Sequence, residues 1–117
     1  MSASTIFIDG EAGTTGLQIR QRLAGREEIA LVSVDPERRK DPEARLAAYR
    51  EAEVAILCLP DEAVTEIAPE AAKAGTRLID ASTAHRVHPD WAFGFPELAP
   101  GQPARIASAD LVSNPGC

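Results

Sequence analysis

Cysteine is scarce in this sequence, with only Cys58 and Cys117 among 117 residues. A disulfide framework is therefore not expected. Cys58 lies within an apolar run, so we expect its thiol to point into the core as a small hydrophobe. Positive charge is also in deficit, because 12 Lys and Arg stand against 18 Asp and Glu and give a net charge of −6. This deficit argues against a nucleic-acid or anionic-membrane partner, whereas a small anionic ligand needs only a few local cations.

Long apolar runs and targeting signals are missing as well. No run approaches the ~20 apolar residues that a transmembrane helix requires. The N-terminus, Met1-Ser2-Ala3-Ser4, lacks the charged region of a signal peptide. These features lead us to expect a cytoplasmic protein without a membrane partner. Since 44% of the residues are apolar, one domain of ordinary size can bury a core without disulfides or a metal site.

Apolar runs alternate with helical segments along the chain. Strands are predicted at 5–9, 29–34, 54–59 and 76–80, with helices at 17–23, 41–51 and 62–74. The segment 85–103 is expected to be irregular, and 105–107 and 111–112 are short strand-like pieces. The alternation predicts an α/β fold, a Rossmann-like doubly wound parallel sheet with the first strand central and helices on both faces.

A glycine-rich turn follows the first predicted strand. Gly10, Gly13 and Gly16 form the pattern G-x-x-G-x-x-G, with Ala12 where the commonest dinucleotide fingerprint has glycine. A helix start supplies free N–H groups and a favourable dipole for a pyrophosphate. Incidental glycines in an ordinary turn are the alternative, but the position in the chain favours cofactor binding. The expected contacts are made by Gly10, Ala12, Gly13, Thr14, Thr15 and Gly16.

The residues alone leave the choice between NAD and NADP open. Asp35 follows the loop at about the ~20-residue spacing of the acid that binds the ribose hydroxyls of NAD. Arg38, Arg39 and Lys40 come directly afterwards, and such cations suit the 2′-phosphate of NADP. A solvated loop is the more usual meaning of such a cluster.

The last five residues, Ser113-Asn114-Pro115-Gly116-Cys117, are typical of a turn that presents a nucleophilic thiol. A cysteine lifted to a helix start has a lowered thiol pKa, because free N–H groups and the helix dipole favour the thiolate. An unreactive cysteine in a tail is the alternative.

Five collinear segments together give this chain a family resemblance. They are IFIDGEAGTTGL (6–17), LCLPD (57–61), DASTAHR (80–86), GFPEL (94–98) and SNPGC (113–117). With them the chain resembles the short-form N-acetyl-gamma-glutamyl-phosphate reductases. The resemblance implies an oxidoreductase of arginine biosynthesis that uses NADPH to reduce N-acetylglutamyl 5-phosphate, a small acyl phosphate, to N-acetylglutamate 5-semialdehyde. It implies that Cys117 forms the thioester and that the glycine loop holds the pyrophosphate.

The same resemblance adds cofactor residues and marks what the chain lacks. Arg38 and Arg39 are expected at the NADP phosphate, and Ser82 and Thr83 follow a strand end where doubly wound folds meet the cofactor. Residues 1–117 are expected to be an NAD(P)-binding domain truncated at the nucleophile, which alone binds cofactor only. The family's second α+β domain, with the substrate pocket, the histidine acid/base and the contacts of a homo-oligomer, is absent from this chain.

Neither His85 nor His88 is expected to replace that histidine, and Arg86 is expected either to meet a phosphate or to form a surface ion pair. The residues leave two alternative functions open. One is a stand-alone NADP-binding sensor module, and the other is a plain α/β interaction domain whose glycines are structural.

Overall fold

Six strands, four α-helices and two short 3₁₀ helices, Pro36–Arg38 and Pro96–Leu98, make up the described part of the chain. The structure, a computed structural model, describes residues 4–10, 13–38, 40–86 and 88–115. The strands are β1 (Ser4–Asp9), β2 (Ile29–Val32), β3 (Val54–Leu57), β4 (Arg77–Asp80), β5 (Ala92–Phe93) and β6 (Leu111–Ser113). The helices are α1 (Thr14–Leu23), α2 (Pro42–Glu51), α3 (Asp61–Lys73) and α4 (Gln102–Ser108).

All six strands pair in one parallel sheet with the order β2-β1-β3-β4-β6-β5. The predicted doubly wound sheet is thereby confirmed, with β1 as an interior strand. The chain passes from β1 to β2 in one direction and from β2 through β3 to β4 in the other. Right-handed crossovers consequently put α1 on one face and α2 and α3 on the other.

The core lies between the sheet and the pair α2 and α3. Alternate residues of the strands, such as Phe7, Ala55 and Leu78, are buried there against helix residues such as Val64. On the opposite face Ile56 is only half-buried. The predicted start of α2 is confirmed, because the Asp41 side chain accepts a hydrogen bond from the Glu43 N–H and Pro42 opens the helix.

The C-terminal part differs from prediction at two elements, β5, which lies in the segment expected to be irregular, and α4. Residues 105–107 were expected to be strand-like, but they lie in α4. Gly101, with φ +88, turns the chain into this helix, and the Gln102 side chain donates to the Phe93 carbonyl oxygen at 2.5 Å. At the other end the Arg77 guanidinium donates to the carbonyl oxygens of Ala107 and Ala109. Residues 105–107 alone do not reveal these contacts with Phe93 and Arg77, so their sequence did not predict the helix.

The last register positions of four strands align at the carboxyl edge of the sheet. Asp9 lies opposite Leu57, Leu57 opposite Asp80, and Asp80 opposite Ser113. In-register residues of parallel strands point to the same face, so two buried carboxylates and a buried hydroxyl share one layer. Within the described ranges, no helix is long and apolar enough to cross a membrane.

Candidate nucleotide-binding site

The glycine loop joins the end of β1 to the start of α1. Gly10 has φ +89, and a Cβ at this position would press on the backbone carbonyl group of Cys58. The Gly13 N–H donates to the Gly10 carbonyl oxygen at 3.0 Å and closes the turn. Gly13 is the N-cap of α1, and it makes no side-chain capping bond. The first turn of α1, described throughout, carries no acidic residue. Its N–H groups are therefore suited to an anion.

A cavity of about 270 Å³ opens beside this helix start. It is bounded by the loop after β1 and by the chain that follows β3 and β4, through Gly13, Thr14, Thr15, Cys58, Leu59, Pro60 and Ala81. The crevice at the carboxyl ends of parallel strands is where doubly wound folds bind ligands. Of the predicted cofactor residues, Gly13, Thr14 and Thr15 line it, and Gly16 is buried in the first turn of α1.

A buried ionic cluster lies directly before the glycine loop. Asp9 is 6% exposed, and its Oδ2 accepts hydrogen bonds from Arg45 Nη2 at 2.7 Å and from the Tyr49 hydroxyl at 2.5 Å. Burial and the neighbouring Asp9 carboxylate raise the pKa of Tyr49, so the hydroxyl stays a donor. Burial works to lower the pKa of Arg45, but the hydrogen bond and charge of Asp9 outweigh it and raise that pKa. Asp9 was not singled out from the sequence, although a carboxylate closing a buried apolar run was a visible signal.

Asp35 and Arg38 meet at a second cavity, of about 220 Å³, between the end of β2 and α2. Arg38 Nη2 donates to Asp41 Oδ2 at 2.9 Å, and this hydrogen bond and charge raise the pKa of Arg38 and lower that of Asp41. Asp35 Oδ1 accepts from the Glu37 N–H and forms a tight turn. The two residues that favour opposite cofactors thus stand at the same cavity. Arg39 lies outside the described residues.

Ser82 and Thr83 lie just past β4 and are tied into the protein. The Ser82 N–H donates to Asp80 Oδ1 at 2.8 Å. Both the N–H and the hydroxyl of Thr83 donate to the carboxylate of Asp61, the first residue of α3. The Thr83 hydroxyl and N–H hold the pKa of Asp61 below its usual range, and Ser82 and the charge of Arg86 add to this. These hydrogen bonds hold the segment in place. It lies beside the glycine-loop cavity, because the preceding residue, Ala81, lines that cavity.

The histidines belong to a packed cluster behind this segment. His85 Nδ1 lies 2.8 Å from Asp80 Oδ2, and the His85 ring stacks on Trp91 with centroids 4.1 Å apart. The His88 ring meets His85 edge-on, and its Nδ1 accepts from the Asp90 N–H. These contacts fix the orientation of both histidine rings. Unlike the rings of the two histidines, the Arg86 side chain has a buried atom, Nε, without a hydrogen-bond partner among the described residues.

Cys58 is not in the core, contrary to expectation. Its side chain is half-buried and lines the cavity at the glycine loop. Burial, followed by the charges of Asp9 and Asp80, raises the pKa of the Cys58 thiol to about 11. The strand β3 ends at Leu57, one residue earlier, which turns Cys58 toward the crevice. Ala12 and Cys117 lie outside the described residues, and the roles predicted for them remain predictions.

The chain matches one protein family over most of its length. The family described as semialdehyde dehydrogenase, NAD binding domain, matches residues 35–107. The N-acetyl-gamma-glutamyl-phosphate reductases of Brucella ovis and Brucella anthropi are each 57% identical to this chain over 113 residues. These alignments cover 96% of this chain and 36% of each relative, so the chain spans little more than a third of the length of these relatives. The resemblance to this reductase family is confirmed.

Solved structures with a similar fold are aspartate semialdehyde dehydrogenases. The enzyme II of Vibrio cholerae, complexed with ASA, has a TM-score of 0.69 and 20% identity, covering 98% of this chain and 42% of that chain. The Candida albicans enzyme with NADP has a TM-score of 0.68 and 17% identity, covering 90% of this chain and 37% of that chain. At these identities the likeness concerns the fold alone.

Proposed function

We propose, since this chain belongs to the semialdehyde dehydrogenase NAD-binding domain family, that it binds NADP as the cofactor-binding part of an N-acetyl-gamma-glutamyl-phosphate reductase. The observation that carries cofactor binding is the start of α1. It lacks a capping side chain and a first-turn acid, and it opens onto a cavity of about 270 Å³. These groups fit a dinucleotide, because free N–H donors at a helix start are complementary to a pyrophosphate.

The proposed reaction uses the thiol of Cys117. Its thiolate attacks the acyl carbon of N-acetylglutamyl 5-phosphate, a C–S bond forms, and the C–O bond to phosphate breaks. Bound NADPH supplies the hydride that reduces the resulting thioester to the aldehyde. The thiolate is released as the semialdehyde forms, so the cysteine is regenerated. The cytosol is the compartment we propose for this biosynthetic step.

Arg86 is the described residue best suited to the leaving phosphate. Its buried Nε has no hydrogen-bond partner among the described residues, and we propose that Arg86 reorients to offer this donor to the phosphate. It follows Ser82 and Thr83 in the segment that borders the glycine-loop cavity. Substitution of Arg86 by Lys keeps the charge and loses the planar fork, so in the full-length enzyme the KM for the acyl phosphate is expected to rise while NADP affinity is retained.

Preference for NADP is proposed to come from Arg38, beside the cavity that Asp35 also lines. Calorimetry should give NADP a lower Kd than NAD, and Arg38→Ala should remove the difference. Losing a charge-assisted contact typically costs ~1.5–3 kcal/mol, about tenfold or more in affinity. Arg26→Ala is the matched control, because Arg26 is also an exposed arginine paired with a nearby acid, Glu28. Equal affinities for both nucleotides, unchanged by Arg38→Ala, would contradict this assignment.

Reductase activity is tested with the full-length enzyme, in the reverse direction. N-acetylglutamate semialdehyde, NADP and inorganic phosphate should together produce NADPH, and omission of phosphate should stop the reaction at the thioester. Aspartate semialdehyde is the discriminating substrate, since the structural neighbours carry that name. Faster turnover with aspartate semialdehyde than with the N-acetylated substrate would overturn the proposed substrate.

A further inference from the structure

A buried carboxylate lies next to the proposed anion site, and its negative charge would repel a bound anion. Asp9 is the last residue of β1 and directly precedes Gly10, the first residue of the glycine loop. Its side chain is 8% exposed, so water screens it weakly. An uncompensated negative charge at this position would oppose the phosphates that the start of α1 attracts.

The helix α2 supplies the compensation. Arg45 and Tyr49 stand one turn apart on α2, and both donate to the same Oδ2 of Asp9. Arg45 brings a full positive charge, whereas Tyr49 brings a neutral donor. The ring of Tyr49 packs edge-on against Phe7 at 5.0 Å, which places its hydroxyl toward the end of β1.

The charge of Asp9 reaches the cavity. Cys58, which lines the cavity beside Gly13 and Thr14, has a thiol pKa raised first by burial and then by the charges of Asp9 and Asp80. The backbone places the two residues side by side, because the Cys58 N–H donates to the Asp9 carbonyl oxygen at 2.9 Å. An anion in the cavity would therefore lie near a carboxylate whose charge Arg45 offsets.

We propose that Arg45 is a positioning residue of the nucleotide site, which neutralises Asp9 so that the glycine loop can bind a pyrophosphate. This inference rests on the proposed function, because it assumes that the cavity takes a dinucleotide. Arg45 acts through Asp9 and is assigned no contact with the cofactor. The competing explanation is that the cluster only fastens α2 to β1, in which case its loss changes stability and leaves affinity alone.

Calorimetric NADP titrations of four proteins separate the two explanations. Arg45→Gln should weaken NADP binding by about tenfold, since Asp9 is left negative beside the phosphates. Asp9→Asn should bind NADP as tightly as the unsubstituted protein or more tightly. The double variant, Asp9→Asn with Arg45→Gln, should recover affinity to within about threefold, because neither charge remains. If the cluster only fastens α2 to β1, Arg45→Gln should leave the Kd for NADP unchanged. Either that result, or a double variant that binds as weakly as Arg45→Gln, would overturn the proposal.

Two controls separate an effect at the nucleotide site from a general effect of lost charge or of unfolding. Arg50→Gln makes the same change of charge on the same helix at an exposed side chain, and it should not change the Kd. Circular dichroism establishes that each variant is folded. If Arg45→Gln does not fold, the other two variants decide, since about tenfold weaker binding by Asp9→Asn would overturn a charge mechanism. Failure of the unsubstituted protein to bind NADP or NAD would instead overturn the proposed function and, with it, this inference.

Discussion

Gly10 is the residue on which the glycine loop depends most directly. Its φ of +89 is costly for any residue with a Cβ, and an added Cβ would lie 3.0 Å from the Cys58 carbonyl carbon. Gly10→Ala should therefore lower the free energy of unfolding by more than about 2 kcal/mol and abolish NADP binding. Chemical denaturation measures the first effect and calorimetry the second.

Gly75 provides the comparison for that substitution. It has φ +86, but a Cβ there would meet nothing within 4 Å. Gly75→Ala should then show the conformational cost alone, about 1 kcal/mol, with NADP affinity retained. Equal losses in the two variants would mean that the close approach to Cys58 contributes nothing.

Cys58 should react slowly because its thiol pKa is raised from 9.0 to about 11. A folded-state pKa above the ordinary value keeps the thiol protonated at pH 8, so alkylation should be about a hundredfold slower than for an unperturbed cysteine. The rate should continue to rise with pH up to about 11. Iodoacetamide labelling with peptide mapping by mass spectrometry follows Cys58 separately from Cys117. In denaturant the same peptide should label at the ordinary rate, and equal rates in both conditions would refute the shift.

Individual residues differ in how far the sequence could predict them. The glycine loop follows from spacing, because a strand, three glycines and a helix form a local pattern. The ionic cluster of Asp9, Arg45 and Tyr49 joins residues far apart in the chain, and no local pattern pairs them. Cys58 was misjudged for a related reason. An apolar run does not reveal where pairing ends, and one residue decides whether a side chain faces the core or the crevice.

At the scale of single elements, α3 contains one residue, Pro69, that lowers the stability of the helix. Pro69 lies inside this helix and is exposed, so it removes one backbone hydrogen bond without a buried side chain in return. Pro69→Ala should raise the free energy of unfolding by about 1–2 kcal/mol, since the gain in helix propensity exceeds the lost rigidity of the unfolded chain. Thermal and chemical denaturation should agree.

Pro103 is the matched control because it lies in the first turn of α4, where proline displaces no hydrogen bond. Pro103→Ala should change stability by less than about 0.5 kcal/mol. Stabilisation of both variants by the same amount would show that helix position is irrelevant and that the explanation for Pro69 is wrong.

Elements with strong local signals were predicted well. Asp41 and Pro42 mark the start of α2 through capping, and Gly75, with φ +86, follows the end of α3. The helix α4 was missed because its seven residues are ordered by partners elsewhere, Phe93 at one end and Arg77 at the other. Short elements depend on tertiary contacts, and a sequence window does not contain them.

At the scale of the whole molecule, the polar groups are concentrated at one edge of the sheet. Asp9 and Asp80 are buried in the same register layer of the sheet. Asp9 accepts hydrogen bonds from Arg45 and Tyr49, and the Asp80 carboxylate lies 2.8 Å from the His85 ring nitrogen Nδ1. A net charge of −6 is compatible with the proposed anion site, because these buried carboxylates have partners and the helix start supplies donors. Local compensation therefore matters more than the overall charge.

We propose that the glycine loop binds the cofactor and that Cys117 forms the thioester, and an experiment that separates the two steps tests this assignment. In the full-length enzyme, N-acetylglutamyl 5-phosphate supplied without NADPH should acylate Cys117, and mass spectrometry should find the added acyl group on its peptide. The Cys58 peptide is the internal control, since a thiol with a pKa of about 11 should stay unmodified.

In the full-length enzyme, Cys117→Ser should prevent this acylation and abolish turnover, because a serine hydroxyl is far less ionised than a thiol at neutral pH. Its Kd for NADP should stay within about twofold of the unsubstituted value, since the binding groups lie at Gly13–Thr15 and the proposed nucleophile is remote in sequence. Acyl transfer to Cys58 in place of Cys117, or turnover retained by Cys117→Ser, would show that the nucleophile has been wrongly assigned.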